Sequence, residues 1–235
     1  MKISNKKLSL WFEPKEIDDA NIDEKTWLKF IREREAKFIF SLFGNHKFKS
    51  ALELGAGDGE QSITIAKFCN KLTCTEIDQN KLKPRNIPHT KYQICDAEDL
   101  SRFPDNSFDL IFSSNMLEHL HNPQRCLKEC KRVIKKRGII IATVPNRTWK
   151  FFNFCFAPLR GIIPKIHGVS SNHFIEFKQF GSRRWEKEFK DTGFNIIKKI
   201  KLPFYIGHGN RFITLIKLGN KIHISASTCF ILNPD

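Results

Sequence analysis

Chemistry in this chain can be placed around one glycine-rich turn. Gly55, Gly57 and Gly59 close the stretch Ala51-Leu-Glu-Leu-Gly-Ala-Gly-Asp-Gly59. A glycine turn between a strand and a helix lets a ligand reach the backbone where no Cβ stands in the way. The N–H groups at the helix start point at that ligand. Glu76 lies twenty-one residues beyond Gly55, and in a βαβ nucleotide site an acid about 20 residues on accepts ribose hydroxyls. Glu76 and Asp78 compete for that role, and the spacing from Gly55 favours Glu76. Among the eight histidines, able to move a proton near neutral pH, His119, His121, His167, His173 and His208 are available. His119 follows the fourth strand and His173 lies in an aromatic, basic region, so these two are the candidate general bases. A structural or surface histidine is the competing reading for both.

The elements that must position these groups follow from hydrophobic periodicity. Ala51–Leu54 reads as a buried strand, and Glu60–Phe68 has helix-compatible apolar spacing through Ile63, Ala66, Ile65 and Phe68. Lys71–Ile77, Tyr92–Cys95 and Phe108–Ser114 read as further strands. A helical turn or two is expected after Gln79, broken by Pro84 and Pro88. Asn122-Pro123 opens a helix with an asparagine cap and proline at the first helical position, and Gly138 is expected to close it. Ile139–Val144 is the continuous apolar run of a strand buried on both faces. Strands alternating with helices at this spacing predict a doubly wound parallel sheet.

On either side of that core the pattern changes. Asp23–Phe43 predicts an amphipathic helix, with Asp23 as its cap, Gly44 as its stop, Trp27, Phe30, Ile31, Phe38, Ile39 and Leu42 on one side, and Arg32, Glu33, Arg34 and Glu35 on the other. After Pro145, residues 149–166 are rich in aromatics interrupted by Pro158, Gly161 and Pro164. A helix is expected over Gln179–Asp191, a strand over Phe194–Leu202, a short helix over Arg211–Leu218 and a last strand over Ile222–Leu232. That makes seven strands: five parallel, then an antiparallel C-terminal pair.

Composition is globular, with 40% apolar and 28% charged residues. No run approaches the roughly 18 uninterrupted apolar residues of a membrane span, and no secretory apolar core follows the N-terminal lysines. The seven cysteines lack any Cys-x-x-Cys spacing, which suggests reduced thiols rather than a disulfide framework or a zinc site. The net charge is +15, and residues 141–235 hold 15 Lys/Arg against 5 Asp/Glu. Such a field favours an anionic partner: phosphate, nucleic acid or a membrane surface.

A dinucleotide fingerprint wants glycine or alanine where Glu60 stands. Gly-x-Gly-x-Gly preceded by an acid, Glu53, instead resembles motif I of the class I S-adenosylmethionine-dependent methyltransferases. Asp96-Ala-Glu-Asp-Leu100, Phe103-Pro-Asp105, Ser107-Phe-Asp109, Leu117-Glu-His119 and Val144-Pro-Asn146 extend the resemblance over about residues 50–146, to the methyltransferase type 11 core shared by ubiquinone-, sterol- and glycan-modifying enzymes. The resemblance implies a Rossmann-like methyltransferase fold and S-adenosyl-L-methionine as cofactor. It implies that Gly55, Ala56 and Gly57 lie along the methionine moiety and that Glu53 orients its amino group, which would also explain an otherwise costly buried carboxylate. Glu76 would take the ribose hydroxyls, Ile77 would lie against the adenine face, and Asp96 would accept from the adenine amino group with Ala97 in backbone contact. Ser113 would lie near the reacting methyl. Asp96 has a second reading as the cap of the following turn.

The whole-chain expectation is a cytoplasmic methyltransferase of one domain. Residues 1–48 form a helical cap, 49–146 the cofactor-binding core, and 147–235 a substrate-side insert with the C-terminal strands. The acceptor is expected to be a hydroxyl on a small or lipid-linked, anionic molecule such as a glycan or lipid precursor. Ser114-Asn115-Met116 stands where amino-methylating enzymes carry Asn/Asp-Pro-Pro-aromatic. RNA methylation, or a non-catalytic nucleic-acid- or membrane-binding role on the same fold, are the alternatives. Lys150, Arg160 and Lys165 in the insert suggest peripheral contact with the inner membrane face; a substrate lid and ordinary core packing compete with that reading.

Overall fold

The computed structural model describes residues 3, 4, 24–161, 166, 169, 171–206, 218, 219 and 221–235. In chain order these form α1 (Glu24–Ser41), β1 (Ala51–Leu54), α2 (Glu60–Ala66), β2 (Leu72–Glu76), β3 (Thr90–Ile94), β4 (Phe108–Ser114), α3 (Pro123–Val133), β5 (Ile134–Pro145), α4 (Arg147–Phe156), α5 (His173–Gln179), α6 (Ser182–Asp191), β6 (Phe194–Pro203) and β7 (Ser225–Pro234). The strands make one sheet in the order β3-β2-β1-β4-β5-β7-β6. Strands β1 to β5 pair in parallel, whereas β7 runs antiparallel to both β5 and β6. This is the Rossmann-like seven-stranded sheet that the sequence predicts.

Alternation along the central strands sends successive side chains to opposite faces. Leu52, Leu54, Ile111, Ile140 and Ala142 pack with Leu127, Val133, Trp185 and Phe189 of α3 and α6. Ala51, Cys74, Leu110, Phe112 and Ile141 pack with Ile39 and Phe40 of α1 and Ile65 of α2. A third cluster joins Trp27 and Ile31 of α1 to Phe204, Tyr205 and Ile206, with Trp149, Phe152 and Phe156 of α4 against it. The Trp27 indole N–H donates to the Ile206 carbonyl at 2.9 Å, so its polar edge is satisfied inside that cluster. All seven cysteines are free, and only Cys155 is exposed.

Several boundaries differ from the sequence expectation, each for a local reason. Helix α3 ends at Val133 and the chain turns extended at Ile134, so Gly138 lies inside β5 instead of closing the helix. The ladder shifts register between Phe108 and Leu110, which pair with Ile134 and Ile139. Gly138 sits in that irregularity, where an added Cβ would come within 2.7 Å of Ile134 Cγ1; glycine is the residue such a bulge tolerates. The helix expected from Gln179 starts at Ser182, because Phe180 and Gly181 are extended and the Phe180 ring is buried beside Trp149. The stretch after Gln79 makes one turn, closed by Lys81 and Leu82 N–H groups on the Asp78 carbonyl, and then no helix.

Two facing assignments also change. On α2 the buried positions are Ser62, Thr64 and Ile65, while Ile63 is exposed. On α1, Glu35 belongs to the core side: it is buried and pairs with Arg32 at 2.7 Å. Asp23, most of the 211–218 segment, His167, His208, Lys165 and the Arg160 side chain lie outside the described residues.

Candidate active site

The turn after β1 winds through three left-handed glycines, Gly55, Gly57 and Gly59, with φ of 71°, 52° and 72°. A Cβ on Gly55 would meet Met116 Cγ at 2.6 Å, so the segment after β4 lies directly on the turn. Nothing stands within 4 Å of the Cβ position of Gly57, which leaves its backbone approachable. The Gly57 N–H donates to Glu76 Oε2 at 3.1 Å, while Glu76 Oε1 accepts from the Ile77 and Asp78 N–H groups at 3.0 and 3.3 Å. Asp78 is engaged elsewhere, its Oδ1 accepting from the Asn80 N–H at 2.9 Å. Of the two acids, Glu76 is the one that touches the turn.

Helix α1 stands over this turn. Lys29 reaches Glu60 at 2.7 Å and Asp58 at 3.2 Å, and Arg85 holds the same Glu60 at 2.6 Å. Between α1 and the turn lies a cavity of about 440 Å³ lined by Leu28, Lys29, Arg32, Ala56, Asp58 and Gln61. That volume suits a small-molecule site, on the order of 300–1,000 Å³. Besides packing on the sheet, α1 forms one wall of the crevice through Lys29 and Arg32, which no motif marks.

The remaining predicted residues fall along the same rim of the sheet. Ser113 pairs with Leu54 across β4 and β1, and its buried hydroxyl has no hydrogen-bond partner among the described residues. Asn115 crosses from β4 to β5, donating to Thr143 Oγ1 at 2.9 Å. Ile77 is 63% exposed despite its apolar side chain, as a flat ligand surface beside Glu76 would require. Ala97 is buried. Asp96 is exposed and does cap its turn, one oxygen accepting from the Glu98 N–H at 2.8 Å. Glu53 points under α2, where Ser62 Oγ donates to it at 2.5 Å. Burial pushes its carboxyl up to about 7, against the lowering pull of Ser62. Its burial is thus satisfied within the chain, by a partner that the sequence reading did not consider.

Residues 52–142 match the family described as the methyltransferase domain. A Mycobacterium tuberculosis protein described as a probable S-adenosylmethionine-dependent methyltransferase is 26% identical over 101 residues, 42% of this chain and 36% of its own length. A ubiquinone biosynthesis O-methyltransferase from Pelagibacter ubique is 26% identical over 184 residues, 77% of this chain and 65% of its length. The chain therefore spans between about a third and two thirds of these curated relatives. The crystal structure of a SAM-dependent methyltransferase from Aquifex aeolicus superposes with a TM-score of 0.57 at 14% identity, over 91% of this chain and all of that one. Over residues 52–142 this chain resembles the S-adenosylmethionine-dependent methyltransferases.

The crevice has features that fit S-adenosylmethionine, the cofactor in those relatives' names. The open space at Gly57, the exposed Ile77 and the orphaned Ser113 hydroxyl all stand along one rim. Glu76 keeps acceptor capacity on Oε2, which takes one hydrogen bond where a carboxylate oxygen can take two. The two candidate bases differ. His119 is exposed on the 3₁₀ turn after β4, its Nε2 3.9 Å from the buried Glu118. His173 opens α5 and places Nδ1 3.2 Å from Glu176 Oε2, and the buried Glu176 is also bound by Lys150 at 2.6 Å. Sequence reasoning found no partner for His173, although the i, i+3 spacing of His173 and Glu176 on a helix would have signalled one. Lys150 is buried in that pair, so it is not available to meet lipid headgroups as the sequence reading had it.

Proposed function

We propose that this chain transfers a methyl group from S-adenosylmethionine to a hydroxyl of a small or lipid-linked, anionic acceptor such as a glycan or lipid precursor. The observation that carries the reading is the contact between Gly57 and Glu76, which sets a backbone approach and a carboxylate at one crevice in a chain that resembles those methyltransferases. The cofactor supplies an electrophilic methyl on a positively charged sulfur. Gly55, Ala56 and Gly57 hold the amino-acid end along the backbone, and Glu53, held by Ser62 under α2, supports that turn from within the core. Glu76 accepts from the ribose hydroxyls, Ile77 covers the adenine face, and Asp96, with Ala97 beside it, accepts from the adenine amino group. Ser113 lies toward the methyl.

Much of the rate of such a displacement comes from holding nucleophile and methyl in a near-attack pose. A hydroxyl acceptor also needs a base, and His173 is our first choice over His119. With Nδ1 held by Glu176, Nε2 is the nitrogen left to take the proton. The substrate side is built by residues 147–235 and the cover by residues 1–48. Apolar side chains left exposed on and around α4 and α5, among them Phe151, Phe154, Leu159 and Phe174, support a lipid-linked acceptor and a peripheral position at the inner membrane face. Among the described residues no helix is long and apolar enough to cross a membrane.

Radiolabelled methyl transfer into cell extract, separated by solvent partition, tests this reading. Label should enter an organic or anionic low-molecular-weight fraction. Label confined to RNA would remove the acceptor assignment, and no protein-dependent label would remove the enzyme assignment.

A further inference from the structure

On the rim of the sheet that carries the crevice, toward its other edge, lies a second cavity of about 460 Å³. Its charged lining is Arg147, Arg183, Arg184, Lys199 and Lys201, joined by His223, and it contains no carboxylate. Two acids reach the cluster from α6: Glu186 pairs with Lys199, and Glu188 lies 3.8 Å from Arg184. Arg147 donates Nε–H to the Phe177 carbonyl at 3.0 Å. Among the described residues, the side chains of Arg183 and Lys201 make no hydrogen bond or ion pair. Arg183 and Lys201 thus bring to one concave place positive charge that no described carboxylate pairs with, and such clustering is unfavourable unless an anion shares it.

The backbone adds donors to that charge. The cavity includes Gly181 and Ser182 at the start of α6, where no side chain caps the helix. The first amides of a ten-residue helix, with the positive end of its dipole, therefore face the same space. Gly181 permits this packing: an added Cβ would come within 3.3 Å of Arg147 Nε. Thr148, Ser182, Ser225 and Thr228 bring hydroxyls to the same lining.

The sheet fixes where this cavity stands relative to the crevice. Strands β5 and β6 are both antiparallel to β7, so they run the same way and end on the same rim. Ser113 pairs with Ala142, Ala142 with Phe230, and Phe230 with Lys199. Three strand spacings of about 4.8 Å put Lys199 roughly 15 Å across the sheet from Ser113. Asn146 ties the two regions, accepting from Thr228 Oγ1 at 2.8 Å at the end of the strand that also carries Thr143.

We propose that this cavity binds a phosphate or diphosphate group of the methyl acceptor, holding the charged end about 15 Å from the methyl-donor end of β4. The inference rests on the methyltransferase reading for its purpose, while the site itself is tested without turnover. A compact cavity of this size suits a diphosphate better than a nucleic-acid strand, which needs an extended basic track.

Calorimetric titration of the full chain with inorganic diphosphate is the test, alongside Arg183→Ala/Lys201→Ala. Both substituted side chains are exposed, and a thermal melt checks that the variant is folded. The wild type should bind one diphosphate, and the double variant should bind at least about tenfold more weakly. S-adenosylmethionine affinity should be equal in the two proteins. If a prenyl diphosphate binds more tightly than uridine diphosphate, the source is lipid-linked; the reverse order points to a nucleotide-linked acceptor. No diphosphate binding by the wild type, or an affinity in the double variant within twofold of it, overturns the proposal. So does a single-stranded RNA that binds this site more tightly than every diphosphate. Absence of S-adenosylmethionine binding with diphosphate binding intact would instead overturn the methyltransferase reading and leave the anion site standing.

Discussion

Gly57 and Glu76 meet across 3.1 Å, the backbone N–H of one donating to the carboxylate of the other. The contact makes the end of β2 part of the turn that follows β1. Because Glu76 also takes the Ile77 and Asp78 N–H groups, its carboxylate is fixed before any ligand arrives, and preorganised acceptors lose little on binding. Glu76→Ala should therefore weaken S-adenosylmethionine binding at least about tenfold, given roughly 1.5–3 kcal/mol for a hydrogen bond to a charged group. Calorimetry checks this, and unchanged affinity would remove Glu76 from the site. Asp78→Ala, whose carboxylate serves its own turn, should leave that affinity within twofold.

Glu53 provides a pH test of the buried strand. Its carboxyl is raised from 4.5 to about 7 by burial. A carboxyl whose folded value exceeds its unfolded value is neutral in the fold where the unfolded chain has already ionised. Its stabilising contribution is full below about 4.5 and is lost as pH rises through about 7. The difference is about 3 kcal/mol at 1.36 kcal/mol per unit. Glu53→Gln should remove this dependence, so the variant's melting temperature should gain on the wild type between pH 5 and about 8. Parallel melting curves across that range would show that the group does not titrate as described.

The core and its turn were legible because local and global preferences agree there. Gly55 needs a positive φ, β4 runs from Phe108 to Ser114 as the strand read from its sequence does, and Asn122 caps α3 by accepting from the Arg125 N–H. The parts that were not legible depend on tertiary contacts. Glu35 looks like a surface residue on α1 until Arg32 turns inward to meet it. Lys150 looks like a headgroup ligand until Glu176, from another helix, buries it. The cation cluster draws on α4, α6, β6 and the segment before β7, so no window of sequence contains it. Uneven charge announced an anionic partner.

Gly55 couples the turn to the segment after β4. Its φ of 71° disfavours any Cβ, and that Cβ would also strike Met116 Cγ at 2.6 Å. Gly55→Ala thus combines a left-handed penalty of about 1–2 kcal/mol with overpacking worth about 1–3 kcal/mol. Met116→Ala removes the Cγ contact at 2.6 Å and leaves the left-handed penalty with a Cβ contact at 3.1 Å. Denaturant unfolding of the two single variants and the double should show positive coupling, with Gly55→Ala costing less in the Met116→Ala background. Strict additivity would mean that Met116 relaxes away and the clash is not the cause.

Lys150, Glu176 and His173 separate a structural role from a catalytic one. Glu176 is fully buried between Lys150 at 2.6 Å and His173 at 3.2 Å. Removing the lysine alone strands a buried carboxylate, so Lys150→Met should destabilise the fold by roughly 3–5 kcal/mol. His173 is partly exposed, and His173→Ala should leave Glu176 its lysine and alter the melting temperature far less. If His173 is the base, the same substitution should lower kcat by about 10²-fold or more while S-adenosylmethionine affinity is retained. The rate lost should be smaller at high pH, where more of an acceptor hydroxyl is ionised without help. A wild-type kcat in His173→Ala, with His119→Ala impaired, would move the proton transfer to the turn after β4.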